Sequence, residues 1–499
     1  MLTDLSAMSL TQHLSFELAQ EFGVVPIADE GSSIAVATAP HMTVAALSTV
    51  RQRLGKPLRT QPVDAARFRE LLTQMYSTAA STGNTVARLT AVASDSSTAQ
   101  VDLLSSSGDD TDAPAVRIVH ELLREALARG ASDIHLDATE QGGRVRFRVD
   151  GVLADVRDTD PQTHAALTAR CKVMAMLDIA ERRLPQDGRL QVTIAGHKVD
   201  VRLATLPTQH GERVVLRLLD TSSARLDLSA LGFDEKALAA LRQAVRMPHG
   251  LVLVTGPTGS GKTTTLYAGV SELDRERLNV VSVEDPVEYA LDRVAQTQVN
   301  PRIELTFARA LRSILRHDPD VIIVGEIRDR ETAEIAIQAS LTGHLVLASL
   351  HTNTAGAAIT RLTDMGIEPY LLASSLRGVM AQRLVRKLCP QCSLSHPATV
   401  DETSLMHTHG INAIAPITAL FTATGCSACN QTGYRGRMGL YRWLPISPDT
   451  SRAIHAKATD AELEALATKH GWPEIASDAA RHLLNGSTSL SEVLRVVSL

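Results

Sequence analysis

The chain has 499 residues and a formal net charge of -5, with 50 Lys and Arg residues against 55 Asp and Glu residues. With 44% hydrophobic and 21% charged residues it has the composition of an ordinary globular protein, and this length accommodates roughly three or four domains. The acidic balance argues against a general nucleic-acid binder, which usually carries a basic surface. The sequence also lacks any run of about 18 apolar residues, which argues against a transmembrane helix.

Residues 1–76 are predicted to form a small N-terminal domain. The start, MLTDLSAMSLTQHL, has neither a basic segment nor a long apolar one, so we expect no signal peptide and a cytoplasmic protein. SIAVATA alternates like a strand, and DAARFRELLTQMY has helical spacing with Asp64 as its N-cap. Residues 77–112 are rich in Ser and Thr and contain no aromatic residue, which predicts a flexible linker with little ability to form a core.

Residues 113–230 are predicted to form a second, α+β domain. VRIVHELLREALARG places its apolar residues on one helical face, and Gly130 ends the helix. RVRFRVDGVLADV predicts a hairpin that turns at Asp150 and Gly151, a favoured pair for a two-residue turn. HKVDVRLATLP and ERVVLRLL predict two further strands, and these strands carry Arg202, Arg213 and Arg217.

Residues 231–388 alternate between short apolar strands and helices. The strands are LVLVT, NVVSVED, DVIIVGE and HLVLASLH, and the helices between them include ETAEIAIQAS and one with an apolar stripe from Phe307 to Leu315. Continuous apolar strands separated by helices predict an α/β domain with a parallel sheet covered on both sides. Residues 430–499 are predicted to be a C-terminal helical region, in which SLSE at Ser489 to Glu492 is a capping box that opens the last helix.

A phosphate-binding loop follows the first of these strands. GPTGSGKT, from Gly256 to Thr263, matches the P-loop pattern G-x-x-x-x-G-K-[ST], with a strand before it and a helix after it. The glycines let main-chain N–H groups point inward, and the helix N-terminus adds partial positive charge. We expect Lys262 to reach the β- and γ-phosphates and Thr263 to offer its hydroxyl to Mg²⁺. The predicted nucleotide-binding residues are Gly256, Pro257, Thr258, Gly259, Ser260, Gly261, Lys262, Thr263 and Thr264.

Acidic side chains follow two further strands. Glu326 ends DVIIVGE, where a Walker B carboxylate belongs, and Glu284, Asp285 and Glu288 follow the strand after the P-loop helix. In a sheet of this kind ligands bind at the carboxyl edge, and crowded carboxylates are costly unless metal or cations offset their charge. Solvated loop acids are the alternative interpretation.

Two histidines, His344 and His351, bracket the strand HLVLASLH. We expect both to lie beside the same sheet edge as the P-loop, where each could donate a hydrogen bond to the γ-phosphate. A purely structural role is the alternative for each of them.

Four of the five cysteines form two C-x-x-C pairs, Cys389 with Cys392 and Cys426 with Cys429, with 33 residues between the pairs. Residues 389–429 are therefore predicted to be a tetracysteine module in which four thiolates hold a closed structural zinc site. A redox dithiol is the alternative. Cys171 lies on a helical stripe and is predicted to be a buried small hydrophobe.

With these elements in place, the chain resembles the secretion ATPases that drive type II secretion and type IV pilus extension. The resemblance rests on ASDIHLDATEQGGRVRFRVDGVL, RLPQDGRLQVTIAGHKVDVRLATLPTQHGERVVLRLLD, the P-loop, VEDPVEY (an aspartate box), LRHDPDVIIVGEIRD (Walker B), TGHLVLASLHT (a histidine box), the C-x-x-C pairs and STSLSEVLRVV. It implies a RecA-like P-loop NTPase domain preceded by a PAS-like α+β domain, a small N-terminal domain and a zinc module.

The resemblance also implies roles for individual residues, with ATP, Mg²⁺ and Zn²⁺ as cofactors. It places Glu288 as the water-activating carboxylate, Glu326 as a Mg²⁺ ligand and His344 and His351 in the histidine box. Arg202 and Arg217 match arginines that approach the γ-phosphate, whereas their positions on strands by themselves suggest exposed residues. The division of roles among Glu284, Asp285 and Glu288 stays open.

The implied function is a hexameric ATPase whose second domain rotates against the P-loop domain and so pushes a pseudopilus. The implied partners are the cytoplasmic part of a bitopic inner-membrane protein, docked by the first domain, and a polytopic inner-membrane protein, so that membrane contact is indirect and the location is the inner face of the bacterial inner membrane. The short N-terminal domain favours type II secretion over pilus extension. A nucleotide-gated scaffold and a nucleic-acid translocase are further alternatives, the latter disfavoured by the acidic charge.

Overall fold

A computed structural model describes residues 14, 19, 22–29, 33–40, 42–54, 56–64, 67, 68, 71, 99–102, 114–194, 197–220, 227–412 and 416–497. The chain divides into two units, residues 1–97 and residues 98–499. No helix in these described ranges has the length and apolar character needed to cross a membrane.

The first unit contains a three-stranded sheet with a helix between its second and third strands. Its elements are β1 (Val24–Asp29), β2 (Ile34–Thr38), α1 (Val44–Leu54) and β3 (Leu58–Pro62). β1 and β2 are antiparallel, whereas β2 and β3 are parallel, with α1 in the crossover between them. All five residues of β2 are buried, which confirms the predicted strand. The Asp64 carboxylate accepts a hydrogen bond from the Arg67 N–H at 2.8 Å, as an N-cap does, and most of the helix predicted after it lies outside the described residues.

The second unit begins with a seven-stranded sheet and two helices. The helices are α2 (Pro114–Ala128) and α3 (Pro161–Met174), and the strands are β4 (Ala99–Asp102), β5 (Ala131–Thr139), β6 (Gly142–Val149), β7 (Val152–Thr159), β8 (Gln186–Ile194), β9 (His197–Thr208) and β10 (Gly211–Asp220). The strand order is β4-β8-β9-β10-β5-β6-β7. The helices contact each other and pack against the sheet around a core that includes Leu123, Phe147 and Leu203. This is the α+β domain predicted from the sequence.

One strand of this sheet comes from the predicted linker. β4 pairs in parallel with β8, Val101 opposite Val192, so residues 77–112 are not linker throughout. Without β4, β8 would be the edge strand with unpaired main-chain N–H and C=O groups, and a four-residue segment satisfies them without an apolar pattern of its own. Composition therefore gave no signal for β4.

The predicted hairpin turn between β6 and β7 is confirmed. Asp150 and Gly151 both have positive φ values, 50° and 85°, as a turn of type I′ requires. The Asp150 carboxylate also accepts a hydrogen bond from the Gly436 N–H at 2.8 Å and lies 3.6 Å from the Arg437 Nε. The turn is therefore a contact between the second domain and the C-terminal part of the chain, which the local pattern did not indicate.

The rest of the second unit is built on a second seven-stranded sheet with helices on both faces. Its strands are β11 (Gly250–Thr255), β12 (Val280–Glu284), β13 (Val294–Gln298), β14 (Val321–Val324), β15 (Leu345–Leu350), β16 (Leu376–Leu388) and β19 (Tyr434–Pro445). The order is β13-β12-β14-β15-β11-β16-β19, parallel except for the β16–β19 pair. Every residue of β11, β12, β14 and β15 is buried. The predicted parallel sheet covered on both sides is confirmed.

Six helices of the described chain surround this sheet up to residue 375. They are α4 (Glu235–Val245), α5 (Lys262–Ser271), α6 (Phe307–Ile314), α7 (Arg330–Leu341), α8 (Ala355–Asp364) and α9 (Pro369–Ser375). Separate apolar clusters fill the two faces, one with Leu253, Leu311 and Ala336, the other with Val254, Leu266 and Leu241.

The cysteine module projects between β16 and β19. It consists of β17 (Ser393–Pro397), α10 (Val400–Thr408) and β18 (Ala419–Ala423), and the chain ends with α11 (Pro448–His455), α12 (Asp460–Lys469), α13 (Ile475–Leu484) and α14 (Leu490–Val497). The region predicted as helical from residue 430 therefore begins with a 12-residue strand. Residues 438–444 are all buried, and a strand buried on both faces has no alternation by which to recognise it.

The capping box predicted at Ser489 is half formed. The Ser489 hydroxyl accepts the Glu492 N–H at 3.3 Å. The Glu492 carboxylate, 1% exposed, instead accepts from Arg386 and Arg495. A buried carboxylate forms stronger hydrogen bonds with guanidinium groups than with one amide, and tertiary contact has overridden the local motif.

Candidate active site

The P-loop, residues 256–263, lies between β11 and α5 at the carboxyl edge of the sheet. A Cβ at Gly256 would lie 2.4 Å from the Gln382 carbonyl oxygen and 2.5 Å from the Ser260 hydroxyl, so only glycine fits there. Gly261, with φ 87°, is the N-cap that allows α5 to begin at Lys262. The N–H groups at this helix start are those that bind phosphate.

A side chain from β16 holds the loop from behind. Gln382, 1% exposed, donates from Nε2 to the Ser260 carbonyl at 2.6 Å and accepts at Oε1 from the Thr265 hydroxyl at 2.8 Å. One amide thus joins the loop to the first turn of α5. The cradle is preorganised because its main chain is fixed by partners outside the motif.

Lys262 is largely buried in this cradle. Its ammonium donates to the carbonyls of Gly256 at 2.9 Å and Pro257 at 3.1 Å. Burial lowers the pKa of Lys262 to about 8, against the opposing charge of Glu326 and with a further contribution from Arg383. A cation in this environment is poised to bind an anion.

His351 joins Lys262 to Glu326. The His351 Nε2 lies 3.0 Å from a carboxylate oxygen of Glu326, and Nδ1 lies 3.4 Å from the Lys262 ammonium. Because a carboxylate only accepts and an ammonium only donates, Nε2 carries the proton and Nδ1 accepts. The other Glu326 oxygen is paired with Arg328, which donates to Asp285 at 3.3 Å. A continuous polar chain therefore runs from the P-loop to the acidic residues after β12.

Two oxygen donors at this edge fit a magnesium–nucleotide complex. Thr263 follows Lys262 at the start of α5, and Glu326 lies close enough to Lys262 to act on its pKa. Hydroxyl and carboxylate oxygens are the ligands that Mg²⁺ prefers. The residues present are thus compatible with the expected metal.

The three acids after β12 have different environments. Glu284, 2% exposed, is surrounded by donors from Tyr267, Ser282 and Gln296. Asp285 is exposed, and Glu288 is partly exposed. Residues 285–291, here named the acidic loop, therefore leave Asp285 and Glu288 accessible, whereas Glu284 is removed from the surface.

Arg202, from β9 of the second domain, reaches the acidic loop. Its Nη2 donates to the Val287 carbonyl at 2.8 Å, and its Nη1 lies 3.6 Å from the Glu288 carboxylate. Burial lowers the pKa of Arg202, and the charge of Glu288 opposes that effect. A guanidinium from one domain thus contacts a candidate catalytic carboxylate of the other.

Arg217 lies opposite Arg202 in the β9–β10 register but does not reach the loop. Its Nε donates to Asp133 at 3.0 Å, and the side chain is 59% exposed. On the other side of Arg202, Arg189 donates weakly to Gln298 at 3.4 Å. The structure therefore brings Arg202 to the site and leaves Arg217 beside it.

The expectation that both histidines lie at the same sheet edge is wrong. His344 precedes β15 and its carbonyl accepts from Gly250, the first residue of β11, whereas His351 follows the other end of β15. A six-residue strand separates its ends by about 20 Å. The His344 Nδ1 contacts the Ala339 carbonyl at 3.0 Å, so its ring closes the turn between α7 and β15.

The four paired cysteines converge. Their sulfur atoms all lie within 4.8 Å of one another, and three of the Sγ–Sγ distances are 3.9, 3.8 and 3.8 Å. A tetrahedral zinc with Zn–S bonds of about 2.3 Å requires sulfur atoms about 3.8 Å apart. Burial raises the pKa of the Cys429 thiol, but hydrogen bonds from the Cys426 and Gly433 N–H groups and from the Cys392 and Cys426 thiols together lower it to about 6. The cluster fits a zinc site.

Several residues of the site were not predicted from the sequence. Gln382 and Arg383 lie on β16, which the sequence did not predict, and Arg328 lies two residues after the Walker B glutamate. Arg383 is 9% exposed, and its Nη1 has no hydrogen-bond partner within the described part of the chain. The basic residue two positions after Glu326 was a usable signal for Arg328, because neighbouring carboxylates need cations.

Two family models match the chain. One described as "Type II/IV secretion system protein" covers residues 108–495, and one that describes an N-terminal domain of "GSPII protein E" covers residues 13–76. The first spans the second domain, the P-loop, the acidic loop and the cysteine module.

Curated relatives match over most of their own length. "Type II secretion system protein E" of Pseudomonas aeruginosa is 47% identical over 468 residues, which are 92% of this chain and 91% of that protein. The protein of the same name from Aeromonas hydrophila is 45% identical over 502 residues, 99% and 98% of the two chains. "Type II secretion system ATPase E" of Vibrio cholerae is 50% identical over 398 residues, 79% and 77% of the two chains.

Solved structures share the fold. The Legionella pneumophila ATPase DotB superimposes with a TM-score of 0.55 at 20% identity, over 76% of this chain and 94% of that chain. The pilus retraction motor PilT with bound ADP superimposes with a TM-score of 0.52 at 25% identity, over 76% and 96% of the two chains. These likenesses confirm the α/β ATPase fold.

The cysteine cluster makes a direct prediction. Cys429→Ser should lose most of the roughly one equivalent of zinc expected of a closed four-thiolate site, measured by elemental analysis of the purified chain. Cys171→Ser is the matched control, because burial raises the pKa of that isolated thiol to about 12 and it lies outside the cluster. Full zinc content in Cys429→Ser would contradict the site.

The environment of Lys262 predicts a pH dependence of nucleotide binding. Its pKa is about 8, and bound phosphates favour the charged ammonium, so the association constant for Mg·ADP should be flat below that value and fall by up to about tenfold per pH unit above it. Calorimetry at about pH 9 in buffers of different ionisation enthalpy should detect proton uptake. Arg383→Met should move the break to higher pH, because that guanidinium lowers the pKa of Lys262. No proton uptake in the parent would contradict the assignment.

Proposed function

The chain belongs to the family of type II/IV secretion system proteins and is an ATP hydrolase, and from that premise we propose that it is the motor that powers pseudopilus assembly and protein export by type II secretion. The observation that carries the proposal is the contact of Arg202, in the second domain, with Val287 and Glu288 of the acidic loop. It links the chemistry of one domain to the position of the other.

We assign the nucleotide to the P-loop, with Lys262 contacting the β- and γ-phosphates. Glu288 is the residue that accepts the proton from the attacking water, because Glu284 is buried among donors and Asp285 is paired with Arg328. Thr263 and Glu326 would hold Mg²⁺, which would supply charge stabilisation of the transferred phosphoryl group. His351 contacts Glu326 with one ring nitrogen and Lys262 with the other, and so fixes the positions of these two side chains relative to each other.

Arg202 couples the site to domain position. Nucleotide phosphates compete with Glu288 for the Arg202 guanidinium, since phosphates accept paired charge-assisted hydrogen bonds from arginine, whereas the Arg202–Glu288 contact is 3.6 Å long. Transfer of Arg202 to the phosphates frees the Glu288 carboxylate and displaces the second domain relative to the P-loop. Arg217, which lies beside Arg202 on the neighbouring strand β10, then leaves Asp133 and binds a phosphate.

The remaining parts of the proposal concern assembly. We infer a homo-hexamer, located on the cytoplasmic face of the inner membrane, in which the first domain docks on the cytoplasmic part of a bitopic membrane protein and the ring acts on a polytopic one. The names of the relatives from Pseudomonas aeruginosa and Aeromonas hydrophila support the assignment to type II secretion. The four cysteines of the cluster would hold Zn²⁺ at a structural site.

One alternative function is supported by a specific observation: the chain shares its fold with the pilus retraction motor PilT, which supports a motor for type IV pili. Identities of 45% and 47% over nearly the whole chain to type II secretion proteins favour the first assignment. A scaffold that binds ATP without hydrolysing it predicts no phosphate release. A nucleic-acid translocase predicts turnover stimulated by DNA, which the net charge of -5 disfavours.

Turnover by variants tests the catalytic assignment. Glu288→Gln should bind ATP normally and slow single-turnover hydrolysis by about 10²–10⁴-fold, and Arg202→Ala should slow it by about 10³–10⁵-fold. Arg157→Ala, on the edge strand β7, is the control and should match the parent. Unchanged hydrolysis in Glu288→Gln would assign the role of general base to Asp285. Unchanged hydrolysis in Arg202→Ala would contradict the interdomain mechanism.

Affinity capture tests the partner assignment. The full chain, immobilised and exposed to detergent-solubilised inner membranes, should retain type II secretion platform proteins in mass spectrometry. A chain lacking residues 1–76 should lose the bitopic partner and keep the polytopic one. Recovery of pilus-platform proteins in their place would establish the alternative motor.

A further inference from the structure

Gln296, on β13, lies behind the acidic loop and contacts it twice. Its Nε2 donates to the Tyr289 carbonyl at 3.1 Å, and its Oε1 accepts from the Leu291 N–H at 2.7 Å. One side-chain amide thus satisfies main-chain groups on both sides of residue 290. These contacts fix the path of the loop immediately after Glu288.

The same amide is part of a cluster on the other side. Its two Nε2 hydrogens are shared among the Tyr289 carbonyl, the Glu284 carboxylate at 3.2 Å and the Tyr267 hydroxyl at 3.1 Å, and the Tyr267 hydroxyl itself donates to Glu284. Glu284 is 2% exposed. A buried carboxylate is stable only when donors surround it, so the cluster resists rearrangement.

Tyr267 extends this cluster to the P-loop helix. It lies on α5, which begins at Lys262, and its ring packs edge-to-face on Tyr289 with centroids 4.7 Å apart and an interplanar angle of 85°. Burial and the charge of Glu284 raise the pKa of Tyr267, so the hydroxyl stays a proton donor. The acidic loop is therefore tied to the helix that carries the phosphate-binding lysine.

We propose that Gln296 is a positioning residue for Glu288, a claim that rests on the proposed role of Glu288 in activating water. Gln296 holds the loop from the ATPase side through Tyr289 and Leu291, whereas Arg202 approaches it from the second domain at Val287. When Arg202 leaves, the Gln296 contacts keep Glu288 at the distance from the nucleotide that proton abstraction requires. A displacement of about 1 Å at such a residue costs about 10²-fold in rate.

Gln296→Leu tests the proposal, because leucine is similar in size and makes none of the four hydrogen bonds. In the full chain, with protein in excess over Mg·ATP and at a concentration above the Kd, single-turnover hydrolysis should slow by about 10- to 100-fold, with ATP affinity changed by less than about twofold. Gln243→Leu, an exposed glutamine on α4, is the matched control and should match the parent. A rise in KM with kcat unchanged would overturn the proposal.

A double-mutant cycle separates positioning from general destabilisation. In the Glu288→Gln background, Gln296→Leu should slow single-turnover hydrolysis by less than about a further twofold, because Gln296 acts through Glu288. Fully additive effects would overturn the proposal. If Glu288→Gln by itself has no effect, the proposed function fails, and that outcome is visible independently of any Gln296 variant.

A second variant keeps the test valid if Gln296→Leu melts well below the parent. Tyr267→Phe removes only the hydroxyl that joins Glu284 and Gln296 and retains the ring packing on Tyr289. It should slow single-turnover hydrolysis in the same way, by about 3- to 10-fold, with ATP affinity unchanged. If Gln296→Leu is folded, parent-like hydrolysis in that variant overturns the proposal; if it is not folded, parent-like hydrolysis in Tyr267→Phe overturns it.

Discussion

The parallel pairing of four buried strands is the constraint on which the site depends. β12, β14, β15 and β11 are paired in register, so that Val283 lies beside Val324, Val324 beside Ala348 and Ala348 beside Leu253. Because these strands are buried on both faces, a shift in pairing would disturb both apolar cores. Their carboxyl ends meet at one edge, and the segments that follow them carry the P-loop, the acidic loop, Glu326 and His351.

Carboxylates lie close together at that edge, and side chains from three separate elements pair with them. Asp285 is paired with Arg328, Glu326 with Arg328 and with the neutral ring of His351, and Glu288 with Arg202. Arg328 and His351 belong to the ATPase domain, whereas Arg202 belongs to the second domain. The charge balance around Glu288 therefore depends on where the second domain sits, and we propose this dependence as the physical basis for coupling hydrolysis to domain movement.

The long strands β16 and β19 connect the remaining parts to this edge. β16 carries Gln382, which holds the P-loop, and ends one residue before Cys389. β19 begins shortly after Cys429 and passes Gly436, whose N–H donates to Asp150 of the second domain. The cysteine cluster fixes the point where these two strands separate. The cysteine module therefore joins the strand that holds the P-loop to the strand that contacts the second domain.

The sequence by itself determined the features whose partners are near in the chain. Apolar runs between helices gave the parallel sheet, GPTGSGKT gave the phosphate cradle, and Asp150 with Gly151 gave a tight turn, because backbone conformation and burial pattern are local properties. The cysteine spacing gave four candidate ligands, and the sulfur positions support them. Only the tertiary structure decided which acids stay accessible, that His344 lies at the far edge, and that β16 and β19 are strands. Gln382 and Ser260 are 122 positions apart, and an isolated glutamine has no periodicity, so its partner is set by how the strands pack and by nothing in its neighbourhood along the chain.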